Sequence, residues 1–271
     1  MFIIKREILN LVLFTFISIG IPAQEKKDSL LVKNYDVLHI LFNKSEKPSK
    51  KLFYANKLIE KSKKENNLKE LMTSYQLTST LFNAEKRIKI KYLDSVISIN
   101  KNKKENSFFT ATIYLEKGSL LYSLRDFKGA LDNFLLAIKV TDNEFLKYKA
   151  NYSIAVLKDR TGDHQGALKI NRGNFYFSKI NYRDRVNSNY LNSIYALANT
   201  FNYLKQLDSA AFYNKLGIKE SLLFNEKSKY NLFVLNQGTT YYLNKEYKLA
   251  IDNLKLASKL FSSENDKVNY S

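Results

Sequence analysis

His39 and His164 are the only histidines in this chain of 271 residues, and there is no cysteine. His39 lies among Val37, Leu38, Ile40 and Leu41, the surroundings of a packed or half-buried helix residue. His164 sits in TGDHQGA, where an exposed turn between helices is expected. A nucleophile needs a base within reach, and a metal needs clustered ligands. Neither arrangement is present, nor is a glycine-rich phosphate loop. The sequence therefore predicts no catalytic residue, no cofactor and no metal. What it does carry is tyrosine and asparagine, with one threonine, at helical spacing: Tyr122, Tyr152, Tyr195, Asn199, Asn202, Tyr203, Thr239 and Tyr242. Such residues can stack on a partner and hydrogen-bond its backbone, which is the chemistry of protein or peptide binding. Ordinary packing between helices is the competing assignment for the same tyrosines.

The elements that would hold these residues repeat. Windows of similar sequence start at Gly118, Ala155, Ala198 and Gly238, and each has alanine twelve positions later, at Ala130, Ala167, Ala210 and Ala250. The alanines are 37, 43 and 40 residues apart, a period at which one helical hairpin stacks on the next. A small residue on each helix lets two backbones cross closely. Tyr114, Leu121, Phe127 and Phe134, and later Val234, Tyr241, Tyr247 and Leu254, would fill the space around the crossings. A third small position, Ala137, Gly217 and Ala257, would face the next hairpin, and Asn174 breaks that series. Helix A of each hairpin would line a groove. The positions three before, one after and four after its small residue point there, including Leu115, Ser119, Val156, Asp159 and Leu235.

Gly118, Phe127, Ala130, Phe134 and Ala137 resemble the signature of the tetratricopeptide repeat, as do Gly238, Tyr241, Tyr247, Ala250 and Ala257. The resemblance implies an all-α, right-handed superhelical solenoid of antiparallel helix hairpins, about six in number. The chain lacks the usual proline at the repeat end, and its repeats exceed 34 residues. Some family members clamp a peptide carboxylate with lysine and asparagine on this face. Asn199 matches one such place and its companions do not. With only 8 Gly and 2 Pro, the rest of the chain also reads as helix. Degenerate hairpins are expected over 30–43 with 49–65 and over 67–82 with 86–101, Pro48 opening a helix.

Lys5 and Arg6 precede an apolar run from Ile8 to Ile21 and a small residue at Ala23, the order of an export signal. The expected division is a signal peptide over 1–23, degenerate hairpins over 24–104, clear repeats over 105–262 and a tail over 263–271. Export to the periplasm or beyond follows, with an uncleaved membrane anchor as the alternative. The run is short for a span. The formal charge of +18 arises from lysines scattered beside glutamates, which usually solvate helix faces, so no nucleic-acid partner is expected. The arrangement of 30–262 is also similar to the exported sensory half of AraC-type helix-turn-helix regulators. That resemblance implies a truncated regulator or a stand-alone relative, without the DNA-binding part.

Overall fold

The computed structural model describes residues 34–100, 107–182 and 188–268. The expected signal at 1–23 lies outside them. Two compact units divide the chain, one ending at Lys104 and the next starting at Glu105. The first contains α1 (Tyr35–Lys44), α2 (Pro48–Lys64), α3 (Leu68–Ser79) and α4 (Lys86–Asn100), with one 3-10 turn at Thr80–Phe82. The second contains α5 (Ser107–Ser123), α6 (Phe127–Val140), α7 (Glu144–Thr161), α8 (His164–Tyr182), α9 (Ser188–Tyr203), α10 (Leu207–Leu223), α11 (Lys227–Leu243) and α12 (Tyr247–Val268). Among the described residues there is no strand, and within each unit successive helices pack as hairpins. The fold is all-α and built from stacked hairpins. Two boundaries differ from expectation. Asn34 accepts from the Asp36 N–H and caps α1, so that helix starts at Tyr35 rather than 30. At the other end α12 runs past 262 to Val268, through a segment with no glycine or proline to stop it.

The turns share one design. Asn66, Arg125, Gly162, Lys205, Asn225 and Lys245 each adopt positive φ, between 52° and 91°. In each case the next residue's N–H reaches back five residues, for example Asp126 to Leu121 O at 3.0 Å and Glu246 to Tyr241 O at 2.9 Å. This is the bonding of a Schellman stop. The residue that closes it can also open the following helix. Asp126 Oδ1 accepts from Gly129 N and Asp163 Oδ1 from Gly166 N, both at 2.9 Å. A single left-handed residue thus reverses the chain. Gly162→Ala is expected to cost about 1 kcal/mol, because φ there is 91°, whereas Arg125→Gly should gain up to about 1 kcal/mol. Urea melts of the two variants check the opposite signs.

The small residues occupy the crossings. Ala130, Ala137, Ala155, Ala167, Ala198, Ala210, Ala250 and Ala257 are all at most 2% exposed, and Gly118 and Gly238 are buried too. A Cβ on Gly118 would lie 2.5 Å from the Phe134 ring, and one on Gly217 only 2.1 Å from Phe233. Gly118 and Gly217 are therefore sockets of aromatic rings, while Gly238 faces Leu254. Tyr247 and Leu254 do not fill an inter-hairpin space as expected: they are 56% and 37% exposed, since no described helix follows α12 to cover them.

Candidate functional site

The clearest division of faces is on α9. Leu191, Ile194, Leu197, Ala198 and Phe201 form a buried stripe, while Asn189, Asn192, Tyr195, Asn199 and Asn202 recur on the other side at intervals of three and four. Two clefts open along that second stripe. One, of about 610 Å³, lies between α5, α7 and α9 and is lined by residues including Leu115, Ser119, Tyr152, Asn189 and Asn192. The other, of about 420 Å³, lies between α9 and α11 and is lined by Tyr195, Asn199, Asn202, Tyr203, Lys205, Leu235, Asn236, Thr239 and Leu243.

Of the residues expected in a groove, Tyr195, Asn199, Asn202, Tyr203 and Thr239 come together in the second cleft. Tyr152 lines the first. Tyr122 lines neither cleft and instead packs on Phe127, with ring centroids 5.7 Å apart. Tyr242 is also outside both, 60% exposed and edge-on to Tyr247. Sequence reasoning missed Asn189, Asn192, Lys205, Asn236 and Leu243. Extending the α9 stripe two turns toward its N-terminus would have found the first two.

The cleft walls are fixed from behind. Tyr195 meets Phe233 edge-on at 5.8 Å, and Tyr203 stacks on His164 at 4.8 Å. Burial raises the pKa of the Tyr152 and Tyr195 phenols above the usual value, so both remain neutral O–H donors. His164 is partly buried, 26% exposed at its side chain, rather than an open turn residue. It is held by Asp159 and Tyr203.

Asn202 is not a free contact residue. It is 5% exposed and belongs to a closed ring of four hydrogen bonds. Asn202 Nδ2 donates to Asn236 Oδ1 (3.1 Å), Asn236 Nδ2 to Asn214 Oδ1 (3.0 Å), Asn214 Nδ2 to Thr240 Oγ1 (2.9 Å) and Thr240 Oγ1 to Asn202 Oδ1 (3.0 Å). One hairpin earlier the equivalent positions do the same work. Asn171 Nδ2 donates to Thr200 Oγ1 at 2.9 Å, and Thr200 Oγ1 to Asp159 Oδ2 at 2.5 Å. At the interface before that the corresponding residues are Phe134 and Leu157, packed in an apolar cluster.

The Thr200, Asp159 and His164 set is not a hydrolytic triad. Asp159 stands between the other two, bonded to Thr200 by one oxygen and to His164 Nδ1 by the other at 3.1 Å. An imidazole that does not touch the hydroxyl cannot take its proton, and Thr200 is fully buried. Among the described residues no three His, Asp or Glu side chains are grouped to hold a metal.

Burial raises the Asp159 pKa, against the lowering effects of Thr200 and His164. The folded chain then holds that proton more tightly than the unfolded chain, so ionised Asp159 costs stability and protonation on acidification recovers it. Asp159→Asn is expected to be at least as stable as the parent near neutral pH and to lose the acid-side recovery. Melting temperatures of both proteins from neutral pH down to the ordinary aspartate range measure it.

No protein-family model matches the sequence, and no curated protein matches it. Solved structures do. BtubC (BKLC) from P. vanneervenii is 12% identical with a TM-score of 0.65, over 84% of this chain and 92% of that one. A Podosopora anserina protein with nearly identical TPR-like repeats is 13% identical with a TM-score of 0.58, over 75% and 97%. A Rap protein complexed with competence and sporulation factor is 12% identical with a TM-score of 0.58, over 89% and 67%. At these identities the likeness is one of fold, and the fold is that of tetratricopeptide repeat proteins.

Proposed function

We propose that the chain is an exported, non-catalytic tetratricopeptide scaffold that binds a protein or peptide segment along α5, α7, α9 and α11. The observation that carries this reading is the single polar stripe of α9, which feeds both clefts. Phenols, amides and apolar walls make up most of both clefts, with Glu116, Lys149 and Lys205 as their charged residues, and suit an extended peptide better than a small metabolite. The structurally similar Rap protein holds competence and sporulation factor, which supports a partner-binding role for a chain of this fold. Asn199, Tyr203 and Thr239 are the residues to change first, because Tyr195 packs on the fully buried Phe233 whereas Tyr203 is 51% exposed and stacks on the partly buried His164. Asn199→Ala with Tyr203→Ala is expected to abolish pull-down of a partner from envelope extract while the protein stays folded by circular dichroism. Retained capture by the folded double variant would refute the groove.

Export rests on the order of charge, apolar run and Ala23 at the N-terminus. Among the described residues no helix is long and apolar enough to cross a membrane. The purified envelope protein is expected to begin near Gln24, and Edman sequencing that returned Met1 would point to a retained anchor or a cytoplasmic chain. The likeness of 30–262 to the sensory half of AraC-type regulators supplies a second reading. A membrane span and helix-turn-helix segment encoded in frame beyond Ser271 would establish it.

A further inference from the structure

Lys229, near the start of α11, reaches across to α9 and donates from Nζ to Asn192 Oδ1 at 2.6 Å. It is partly buried, and among the described residues no carboxylate lies within ion-pair distance of it. A cation held by one neutral oxygen still has two N–H donors to place. Lys229 lines neither cleft itself, but the residues beside it do. Asn192 lines the first. Seven residues farther along each helix, Asn199 and Asn236 both line the second, so Lys229 shares a helix face with Asn236 and Leu243. The other charges nearby are lopsided: Lys149 and Glu116 line the first cleft and Lys205 the second. Glu116 has its own interactions, while Lys149 lies over the Phe145 ring at 4.8 Å. Among the described residues none of Lys149, Lys205 and Lys229 has an ion-pair partner, so the groove offers positive charge to a ligand.

We propose that the groove takes an extended acidic peptide, with one carboxylate side chain on Lys229 and Asn192 and one large apolar side chain in the cleft walled by Tyr195 and Tyr203. This rests on the peptide-binding reading above and adds its chemistry and register. Two helical turns separate Asn192 from Asn199, a rise of about 10 Å, which an extended chain covers in about three residues. The acidic and apolar residues of the ligand should therefore stand about three apart. Desolvation lowers the Lys229 pKa below the ordinary lysine value, and the charge of Glu226 acts against it. Burial of its charge thus costs the empty protein stability, and a ligand carboxylate would relieve that cost.

The test is to pan a random seven-residue peptide library displayed on phage against the full chain. The expected result is enrichment of Asp or Glu about three positions from Phe, Trp, Leu or Met. A synthetic peptide of that sequence should bind Lys229→Met at least about tenfold more weakly, with no fall in melting temperature. Lys229→Glu, panned again, should select Lys or Arg at the same position. Peptides without an acidic preference, or equal binding to the parent, Lys229→Met and Lys229→Glu, would overturn the proposal. If those peptides still lose binding in Asn199→Ala, the groove itself stands. If no peptide is enriched, or binding ignores Asn199→Ala and Tyr203→Ala as well, both readings fall.

Discussion

Phe233→Ala is expected to destabilise the second unit by about 3–5 kcal/mol, and Gly217→Ala to cost about 1–3 kcal/mol by the opposite fault. Phe233 is fully buried and lies in the cluster with Tyr190, Leu191, Ile194 and Phe201, so removing the ring leaves a cavity that two helices cannot close. A methyl group at Gly217 would lie 2.1–2.3 Å from three atoms of that ring, and a ring packed on all sides has little room to move. The two effects share one volume. Adding Gly217→Ala to Phe233→Leu should therefore cost less than the sum of the single changes, a coupling that a double-mutant cycle in urea reads directly. Simple additivity would mean that residue 217 is not the socket of this ring. Tyr195 leans edge-on against Phe233, so peptide affinity should fall along with stability in Phe233→Ala.

The repeat was readable because its cause is local. Close helix crossings admit only small side chains, so Ala130, Ala167, Ala210 and Ala250 recur whatever else drifts. Helix ends were readable where a residue carries its own signal, as Pro48, Gly162 and Asp163 do. They were less so at Arg125, Lys205 and Lys245, which adopt left-handed backbone without the glycine that would announce it. The groove was partly legible, because a helical stripe follows from spacing alone. Tyr195, Asn199, Tyr203 and Thr239 reach the same cleft for that reason. Asn202 shows what spacing cannot supply. Its place on the stripe follows from its number, but its use depends on Asn214 and Thr240 arriving from two other helices. Lys229 is similar, since a lysine near a helix start reads as solvated until Asn192 is placed beside it.

The ring of Asn202, Asn236, Asn214 and Thr240 should be the least forgiving polar feature of the chain. Asn214→Ala is expected to cost roughly 1–3 kcal/mol beyond ordinary side-chain truncation. It strands Asn236 Nδ2 without its acceptor and removes the donor to Thr240 Oγ1, in an interface where Asn214 is fully buried. Thr240→Val keeps the shape and deletes both hydroxyl bonds of the ring, so it isolates the polar part of the loss. The interface occupied by Phe134 and Leu157 shows that this kind of joint also forms from apolar side chains. Replacing all four ring residues together with apolar side chains of similar volume should therefore restore much of what one substitution loses, as a fully apolar joint strands no partner. Such a protein would lose the amides of Asn202 and Asn236 from the cleft floor and should bind peptide more weakly despite its stability. Chemical melts paired with peptide titrations separate the two outcomes. If the fourfold variant is as unstable as Asn214→Ala, the ring is held by shape rather than by its hydrogen bonds. If it binds peptide as well as the parent, the amides belong to the joint alone and the ligand is read by Asn199, Tyr203 and Thr239.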